Sequence, residues 1–275
     1  MSAATDRIAE IREQQLGNTG KRVLVLEGTD DVDAFGIFLG RQFPDWEMSW
    51  ALAPAGNKKL VQEILKAEPD WLGLVDRDEW TADELARYQG LVPNLLVLPR
   101  FCLESYLIDP DELWAAFPEK QRARVEGGVA TLRAALLAEK ATWVRHAALW
   151  HVINPLWGKL RALGFGVRKE GVLNSKRVPD DAALLAALKS WHEFLDAQRI
   201  FSEFQVRLAE MQALGEPVLL AQWVYAKDFY PQVVHRELDR LLGQKPARVR
   251  RLALFKTRSL PEDLNFVWQR MGLIP

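Results

Sequence analysis

The stretch KRVLVLEGTDDVDAF, residues 21–35, decides the fold and raises the chemical question of this chain. Its run Val23-Leu24-Val25-Leu26 has apolar residues on both faces, which predicts a covered strand of a parallel sheet over 22–26. We expect a helix over 30–41, with Thr29 or Asp30 as its N-cap. The strand ends at Glu27, and three more acidic residues follow within six positions. A buried strand therefore delivers a carboxylate into a cluster of carboxylates.

Strands and helices alternate through the first hundred residues. A short amphipathic helix is predicted over 5–16, and further strands over 47–53, 71–75 and 94–98. A helix over 55–68 lies between the second and third strands. Strands that alternate with helices of about a dozen residues are typical of a parallel, Rossmann-like α/β sheet flanked by helices. We therefore expect a first domain over 1–118.

The remaining residues, 119–275, are expected to form a mostly helical domain with a basic C-terminal segment. A helical segment over 102–117 is interrupted at Asp109-Pro110, and Pro155 is expected to end a helical pattern near Asn154. The other predictions are a loop over 174–181, one long helix over 182–213, a helix over 228–242, a basic strand or loop over 246–258, and a helix over 261–271. The apolar stripe of 182–213 indicates either a bundle core or a dimer face, and we expect a homodimer.

Composition excludes several classes of protein. The chain has 275 residues, of which 49% are hydrophobic, enough for a sizeable core. No apolar run approaches the roughly 18 to 20 residues of a membrane span, and the first 15 residues are too polar for a signal peptide. The one cysteine, Cys102, excludes an intramolecular disulfide framework. We therefore expect a cytoplasmic protein that does not contact membranes.

The charge is unevenly distributed. Residues 1–119 carry 22 acidic and 11 basic side chains, whereas residues 120–275 carry 15 acidic and 25 basic ones. An acidic half beside a basic half indicates two tasks, such as holding cations and holding a polyanion. The alternative is that the opposite charges only dock the two halves.

Acidic residues follow two of the predicted strands. Glu27 follows the first strand, and Asp76 and Asp78 follow the third. The carboxyl ends of parallel strands form the ligand crevice of an open sheet, and the Asp-x-Asp spacing puts both side chains on one side of an extended segment. Asp31 lies one helical turn after Glu27. Carboxylates this close repel one another, and Mg²⁺ or Mn²⁺, which prefer oxygen ligands, would remove that conflict.

The order strand–Glu-Gly–helix, strand–helix, strand–Asp-x-Asp resembles the TOPRIM domain of topoisomerases, primases and nucleases over residues 21–108. The resemblance implies that Glu27, Asp76 and Asp78 hold Mg²⁺ and handle a phosphodiester. The pair Glu27 and Asp31 resembles the E-x-x-x-D of the OLD-family nucleases. No Walker A motif is present, so the chain is not itself an ATPase.

Two further segments narrow the resemblance. The segment VLPRFCLESYLIDPDEL, 97–113, is similar to one found in a family of small bacterial TOPRIM proteins. That family includes the nuclease subunit of the PARIS anti-phage system, which works with an ABC-type ATPase. Glu104 falls on the acidic position of that segment, which implies a second metal ion held by Asp31 and Glu104. YAKDFYPQVV, 225–234, resembles a G-K-D-x-L element that places a lysine near the metal. Ala226 replaces its glycine, so the assignment of Lys227 is less secure.

Other basic residues are candidates for nucleic-acid binding. Lys58 and Lys59 lie at a helix start, where they meet either phosphate or solvent. The tract over 235–258 has eight basic and two acidic residues, and a strand there would present charge on one face. Such side chains bind phosphates without reading sequence, or else contact the acidic half or a partner protein. The candidates are Lys58, Arg248, Arg250, Arg251 and Lys256.

These observations lead to one expected function and two alternatives. We expect a Mg²⁺-dependent phosphodiester hydrolase that cuts tRNA or DNA, acts in anti-phage defence with an ABC-type ATPase, and uses Lys227 to offset phosphate charge. One alternative is a non-catalytic metal-binding module that docks a sensor protein. A phospho-acceptor of the receiver type fits less well, because it needs the acidic pair after the first strand. Arg100 and Glu104, four residues apart, are alternatively a simple ion pair.

Overall fold

A four-stranded parallel sheet organises the first part of the chain. The computed structural model describes residues 2–17, 19–167, 172–173, 176 and 178–275. The strands are β1 Arg22–Leu26, β2 Trp50–Pro54, β3 Leu72–Val75 and β4 Leu95–Val97. Their order is β2-β1-β3-β4, and every neighbouring pair is parallel. The prediction of a parallel α/β sheet flanked by helices is confirmed. Strand β2 begins later than predicted because Trp46–Met48 forms a 3-10 helix.

Helices make up most of the remaining chain. Those that precede residue 138 are α1 Ala3–Ile11, α2 Thr29–Gln42, α3 Lys58–Ala67, α4 Ala82–Leu91, α5 Pro110–Ala116, α6 Glu119–Arg122 and α7 Gly128–Leu136. Those that follow are α8 Lys140–Ala162, α9 Asp181–Phe194, α10 Ala197–Gln212, α11 Glu216–Gln222, α12 Ala226–Phe229, α13 Arg236–Leu242, α14 Ala247–Thr257 and α15 Asn265–Met271. Shorter 3-10 turns lie at Leu103–Leu107 and Glu262–Leu264, and π-helical turns at Arg12–Leu16 and Tyr230–His235.

The chain forms two compact units. The first contains the chain up to Ala138 together with Leu220–Gln222 and Ala226–Pro275. The second contains Glu139–Leu219 and Trp223–Tyr225. The expected boundary at residue 118 therefore differs from the observed division, because the C-terminal helices belong to the same unit as the sheet.

One face of the sheet packs against α3. Val23 and Val25 of β1 share a core cluster with Val61 and Leu65 of α3. The contact is close because β3 carries Gly73 at this point. A Cβ atom on Gly73 would lie 2.5 Å from a side-chain carbon of Leu65 and 2.7 Å from one of Val61. A larger residue would push α3 away from the sheet.

Aromatic side chains join α2 to the C-terminal helices in the same unit. The rings of Phe38 and Phe255 meet edge to face with centroids 5.4 Å apart, and those of Phe35 and Trp268 lie 6.0 Å apart. The indole of Trp50 donates a hydrogen bond to the carbonyl of Met271. These long-range contacts explain why the sequence-based boundary differs from the observed one.

The basic segment over 246–258 is a helix, not a strand or loop. Arg250, Leu254 and Arg258 follow one another at four-residue spacing and are all buried. This is the period of a helix face, so the basic side chains of the segment point in different directions. The idea of a strand that presents all its charge on one face is wrong.

Two predictions about the second unit are also corrected. Pro155 lies inside α8, where the buried residues Val152, Leu156 and Leu160 continue the helix face on both sides of it. The expected helix over 182–213 is two helices, because Asp196 caps a new one by accepting a hydrogen bond from the Arg199 N–H. Asn174, Ser175 and Arg177 of the expected loop lie outside the described residues.

The sequence predicts no membrane-spanning segment, and the length and hydropathy of the helices bear on this expectation. Among the residues that the structure describes, no helix combines the length and apolar character that crossing a membrane requires.

Candidate metal centre

Three carboxylates meet at the carboxyl ends of β1 and β3. These strands are neighbours, and Leu26 is in register with Leu74, so the residues that follow them emerge side by side. One oxygen atom each of Glu27, Asp76 and Asp78 lies within 4.8 Å of the other two. The predicted convergence of these residues is confirmed.

Hydrogen bonds from the main chain fix two of the carboxylates. The Asp76 N–H donates to Glu27 at 2.8 Å, and the Leu103 N–H donates to Asp76 at 3.2 Å. Asp78 is held by its own backbone, because its N–H donates to the Phe101 carbonyl at 2.8 Å. These bonds position the oxygen atoms without using a positive side chain.

Asp78 has an unusual backbone conformation. Its φ is 49°, the only positive φ among the non-glycine residues that the structure describes. Aspartate tolerates this left-handed region better than most residues, but the conformation still costs free energy and tends to occur at functional sites. The turn allows Asp78 to place its carboxylate beside that of Asp76.

Two lysines neutralise part of this cluster. The ammonium of Lys227, at the start of α12, lies 2.8 Å from Asp76 and 3.1 Å from Asp78. The ammonium of Lys58, the first residue of α3, lies 2.5 Å from the other oxygen of Asp78. Asp78 therefore joins both lysines.

Lys58 has a second, aromatic partner. Its ammonium lies 4.3 Å from the centroid of the Trp80 ring, and Trp80 stacks on Tyr88 with centroids 4.3 Å apart. A lysine at a helix N-terminus is unfavourable for the helix dipole, and both Asp78 and the face of Trp80 offset that cost. Sequence patterns indicated Lys58 as a phosphate contact on the helix surface and did not reveal its place in the acidic cluster.

Burial and charge shift the ionisation of these groups. Burial raises the pKa of Glu27 and of Asp76, and the nearby lysines oppose this effect only in part. Burial acts to raise the pKa of Asp78 too, but Lys58 and Lys227 outweigh it and hold that pKa below the ordinary value. For Lys227, Asp76 and Asp78 overcome the effect of burial and raise the pKa of the ammonium.

Asp31 and Glu104 lie beside the three central carboxylates. Asp31 accepts a hydrogen bond from the Gly28 N–H at 2.8 Å, and Gly28 rather than Thr29 or Asp30 is the N-cap of α2. Burial, followed by the charges of Glu104 and Glu27, raises the pKa of Asp31 to about 7. Among the described residues, the group whose oxygen atoms could together hold a metal ion contains neither Asp31 nor Glu104, so their role at a second ion stays a prediction.

The alternative pairing of Arg100 with Glu104 is not observed. Arg100 forms two short hydrogen bonds to Glu112 and one to Asp263. Glu104 instead receives a hydrogen bond from Arg251 at 3.0 Å. The Arg100 side chain joins segments of the first unit, and Glu104 has Arg251 as its partner instead.

The predicted nucleic-acid contacts on α14 have different surroundings. Arg251 bridges Glu104 and Asp30, and Arg248 pairs with Asp33. Lys256 is exposed.

Arg250 cannot serve as a nucleic-acid contact. It is 5% exposed and is bound to Asp239 and to the Gly243 carbonyl. Its assignment to nucleic-acid binding is therefore wrong. The guanidinium instead holds α14 to the loop that follows α13.

The arrangement can hold a metal ion. Its three central donors are carboxylate oxygens, the ligands that Mg²⁺, Mn²⁺ and Ca²⁺ prefer. The raised pKa values of Glu27 and Asp76 indicate that the lysines do not fully offset burial and mutual repulsion. The fold and site thus define an α/β protein with an acidic, metal-competent cluster at the carboxyl end of its sheet. In comparisons with known proteins, no family model and no curated protein matches the chain.

Proposed function

We propose that this chain is a metal-dependent phosphodiester hydrolase of the TOPRIM type that acts on nucleic acid. The observation that carries the proposal is the meeting of Glu27, Asp76 and Asp78 at the ends of adjacent parallel strands, with Lys227 beside them. The order of these residues along the chain supports the TOPRIM assignment. Mg²⁺ or Mn²⁺ is the proposed cofactor.

The residues have distinct proposed roles. Glu27, Asp76 and Asp78 would hold a first divalent ion, and Asp31 and Glu104 would help to hold a second. When bound, such ions activate water and stabilise the leaving oxygen of a phosphodiester.

The chain itself supplies a positive charge and an acidic ligand. Lys227, whose ammonium lies against Asp76 and Asp78, would donate hydrogen bonds to a phosphate oxygen and offset its growing charge. Without metal, burial raises the pKa of Asp31 to about 7, and a cation held there would lower that pKa and keep the carboxylate ionised as a ligand.

A cleavage assay tests this proposal. Labelled tRNA, single-stranded DNA and duplex DNA are incubated with the protein in Mg²⁺ or Mn²⁺, with and without EDTA. Glu27→Gln should abolish cleavage, while Glu126→Gln, at an exposed position of the same unit, should retain it. Equal cleavage by both variants would contradict the proposal.

A partner protein is part of the proposal. The similarity of 97–113 to the small bacterial TOPRIM proteins supports an ABC-type ATPase as partner and anti-phage defence as the setting. The assay should therefore be repeated in the presence of an ABC-type ATPase whose gene lies next to the gene of this chain. The non-catalytic alternative predicts metal binding and ATPase binding without cleavage under any of these conditions.

A further inference from the structure

Helix α8 exposes a row of mainly apolar side chains. Arg145, Leu149, Ile153, Trp157 and Arg161 follow one another at four-residue spacing, and all five are exposed. Of these, Arg145 also contacts its own unit, because its guanidinium lies 4.8 Å from the centroid of the Phe204 ring. The exposed fraction is 39% for Leu149, 44% for Ile153 and 60% for Trp157. Residues at this spacing lie next to one another along a helix, so the row forms a continuous ridge with a guanidinium at each end.

The ridge is not needed for the packing of α8. The helix already buries another set of residues, including Val144, Ala148 and Val152. Helix α10, which belongs to the same unit, packs against α8. Trp143 and Trp150 of the same helix have ring partners: Trp143 meets His146 with centroids 5.3 Å apart, and Trp150 stacks on Tyr225 with centroids 3.8 Å apart. Trp157 differs from both because most of its indole faces solvent.

The charge of α8 indicates what the ridge contacts. Its 23 residues include four basic side chains, Lys140, Arg145, Lys159 and Arg161, and no acidic one. Over residues 140–177 the sequence contains eight Lys and Arg residues and a single acid, Glu170. Such a segment attracts a polyanion, and the apolar ridge between its charges offers a surface for the rings of that polyanion.

We propose that the ridge on α8 binds single-stranded nucleic acid. An unpaired base stacks on the exposed indole of Trp157, and the neighbouring phosphate contacts Arg161, which is exposed and lies one helical turn further along the same ridge. Single strands are specified because the base faces of a duplex are already stacked on one another. The inference does not depend on cleavage, since it concerns residues of the second unit and requires binding only.

Binding is measured with the full-length Glu27→Gln protein in EDTA, so that cleavage does not enter. The probe is a labelled, unstructured RNA of about 12 nucleotides, followed by fluorescence anisotropy at several salt concentrations. Trp157→Ala should weaken binding about tenfold and leave the salt dependence unchanged, because stacking releases no counterions. Trp157→Phe should recover part of the loss.

Arg161→Gln should act differently. Binding should weaken, and the slope of log affinity against log salt should fall by about 0.7, since one phosphate contact is lost. Leu91→Ala, at an exposed leucine of α4, is the control and should have no effect.

Three results would overturn the proposal. The first is equal affinity of Trp157→Ala and its parent, and the second is an equal loss in Leu91→Ala. The third is tighter binding of a duplex than of the single-stranded RNA by the parent Glu27→Gln protein. If Trp157→Ala leaves RNA binding intact but abolishes a protein–protein complex seen by light scattering, the ridge is a protein contact instead. A comparison of Trp157→Glu with Trp157→Gln provides a second test. The two side chains have the same shape, and only Glu adds a negative charge, so Trp157→Glu should bind RNA more weakly than Trp157→Gln.

Discussion

The ammonium of Lys227 lies 2.8 Å from the carboxylate of Asp76, which is only 7% exposed. This contact joins α12, near the C-terminus, to the end of β3. Removing the lysine would leave a buried carboxylate without its main positive partner, and Asp76 would have to protonate or become more solvated.

Lys227→Met should therefore destabilise the protein in EDTA. We expect a loss of about 2 kcal/mol in the free energy of unfolding, less than for a fully buried pair because Lys227 is partly exposed. Urea unfolding measures it. Lys59→Met, at an exposed lysine of α3, should change the free energy by less than about 0.5 kcal/mol. Similar losses in the two variants would show that the Lys227–Asp76 contact is not stabilising.

Divalent metal should stabilise the folded protein. A ligand that binds only the folded state raises the melting temperature, so Mg²⁺ or Mn²⁺ should raise it relative to EDTA. Asp76→Asn should lose most of this shift, while Asp70→Asn, at an exposed position, should keep it. The idea of a metal centre fails if Asp76→Asn shows the full shift.

The stability of the metal-free protein should depend on the ionisation of Asp31. Its pKa in the folded protein is about 7, above the ordinary value of 3.8. The folded state therefore binds this proton more tightly than the unfolded chain. The resulting stability is fully present below about pH 4 and is lost as the pH rises to about 7.

Asp31→Asn removes this ionisation but keeps an oxygen that can accept the Gly28 N–H bond. In EDTA, the variant should become more stable relative to the parent as the pH rises from about 5 to about 7.5, because only the parent loses stability over this range. A relative stability that is constant or declines over this range would show that Asp31 does not have a raised pKa.

Trp80 should be energetically coupled to Lys58. The ring lies against the Lys58 ammonium, and such contacts contribute about 0.5 to 1 kcal/mol when partly exposed. A double-mutant cycle with Lys58→Met and Trp80→Leu should give a coupling energy of this size, and Trp80→Phe should retain part of it. Additive effects of the two substitutions would mean that Trp80 only packs against Tyr88.

A homodimer is expected through α9. Leu184, Leu185 and Leu188 are exposed on this helix, and two antiparallel copies would bring Asp181 of each near Lys189 of the other. Light scattering should give about twice the chain mass of 31.4 kDa, and Leu185→Lys should return the monomer mass. A monomer at every concentration tested would exclude this contact.

The sheet and its acidic edge could be predicted from the sequence because both depend on local patterns. Short apolar runs define the strands, and the carboxyl ends of parallel strands meet at one edge of a sheet. Glu27 and Asp76 could therefore be placed together from the amino-acid sequence alone. The position of Lys227 near the acidic residues was predicted from the resemblance of this segment to a G-K-D-x-L element, in which Ala226 replaces the glycine.

Contacts between distant segments were not predicted. The burial of Arg250 depends on Asp239 and on the Gly243 carbonyl, and its even spacing from Arg248 was equally compatible with a strand. The return of the C-terminal helices to the first unit depends on pairs such as Phe38 with Phe255. No local period encodes such pairs, because each joins residues that lie far apart along the chain.

The division of the first unit between the two ends of the chain has a consequence for its biosynthesis. Lys227 follows Asp78 by 149 residues, and the second unit is translated in between. At ribosomal speeds of roughly 5 to 20 residues per second, the acidic cluster waits about 7 to 30 s for its lysine. A nascent chain that has not yet reached residue 227 therefore has only Lys58 to offset the carboxylates of the proposed nuclease.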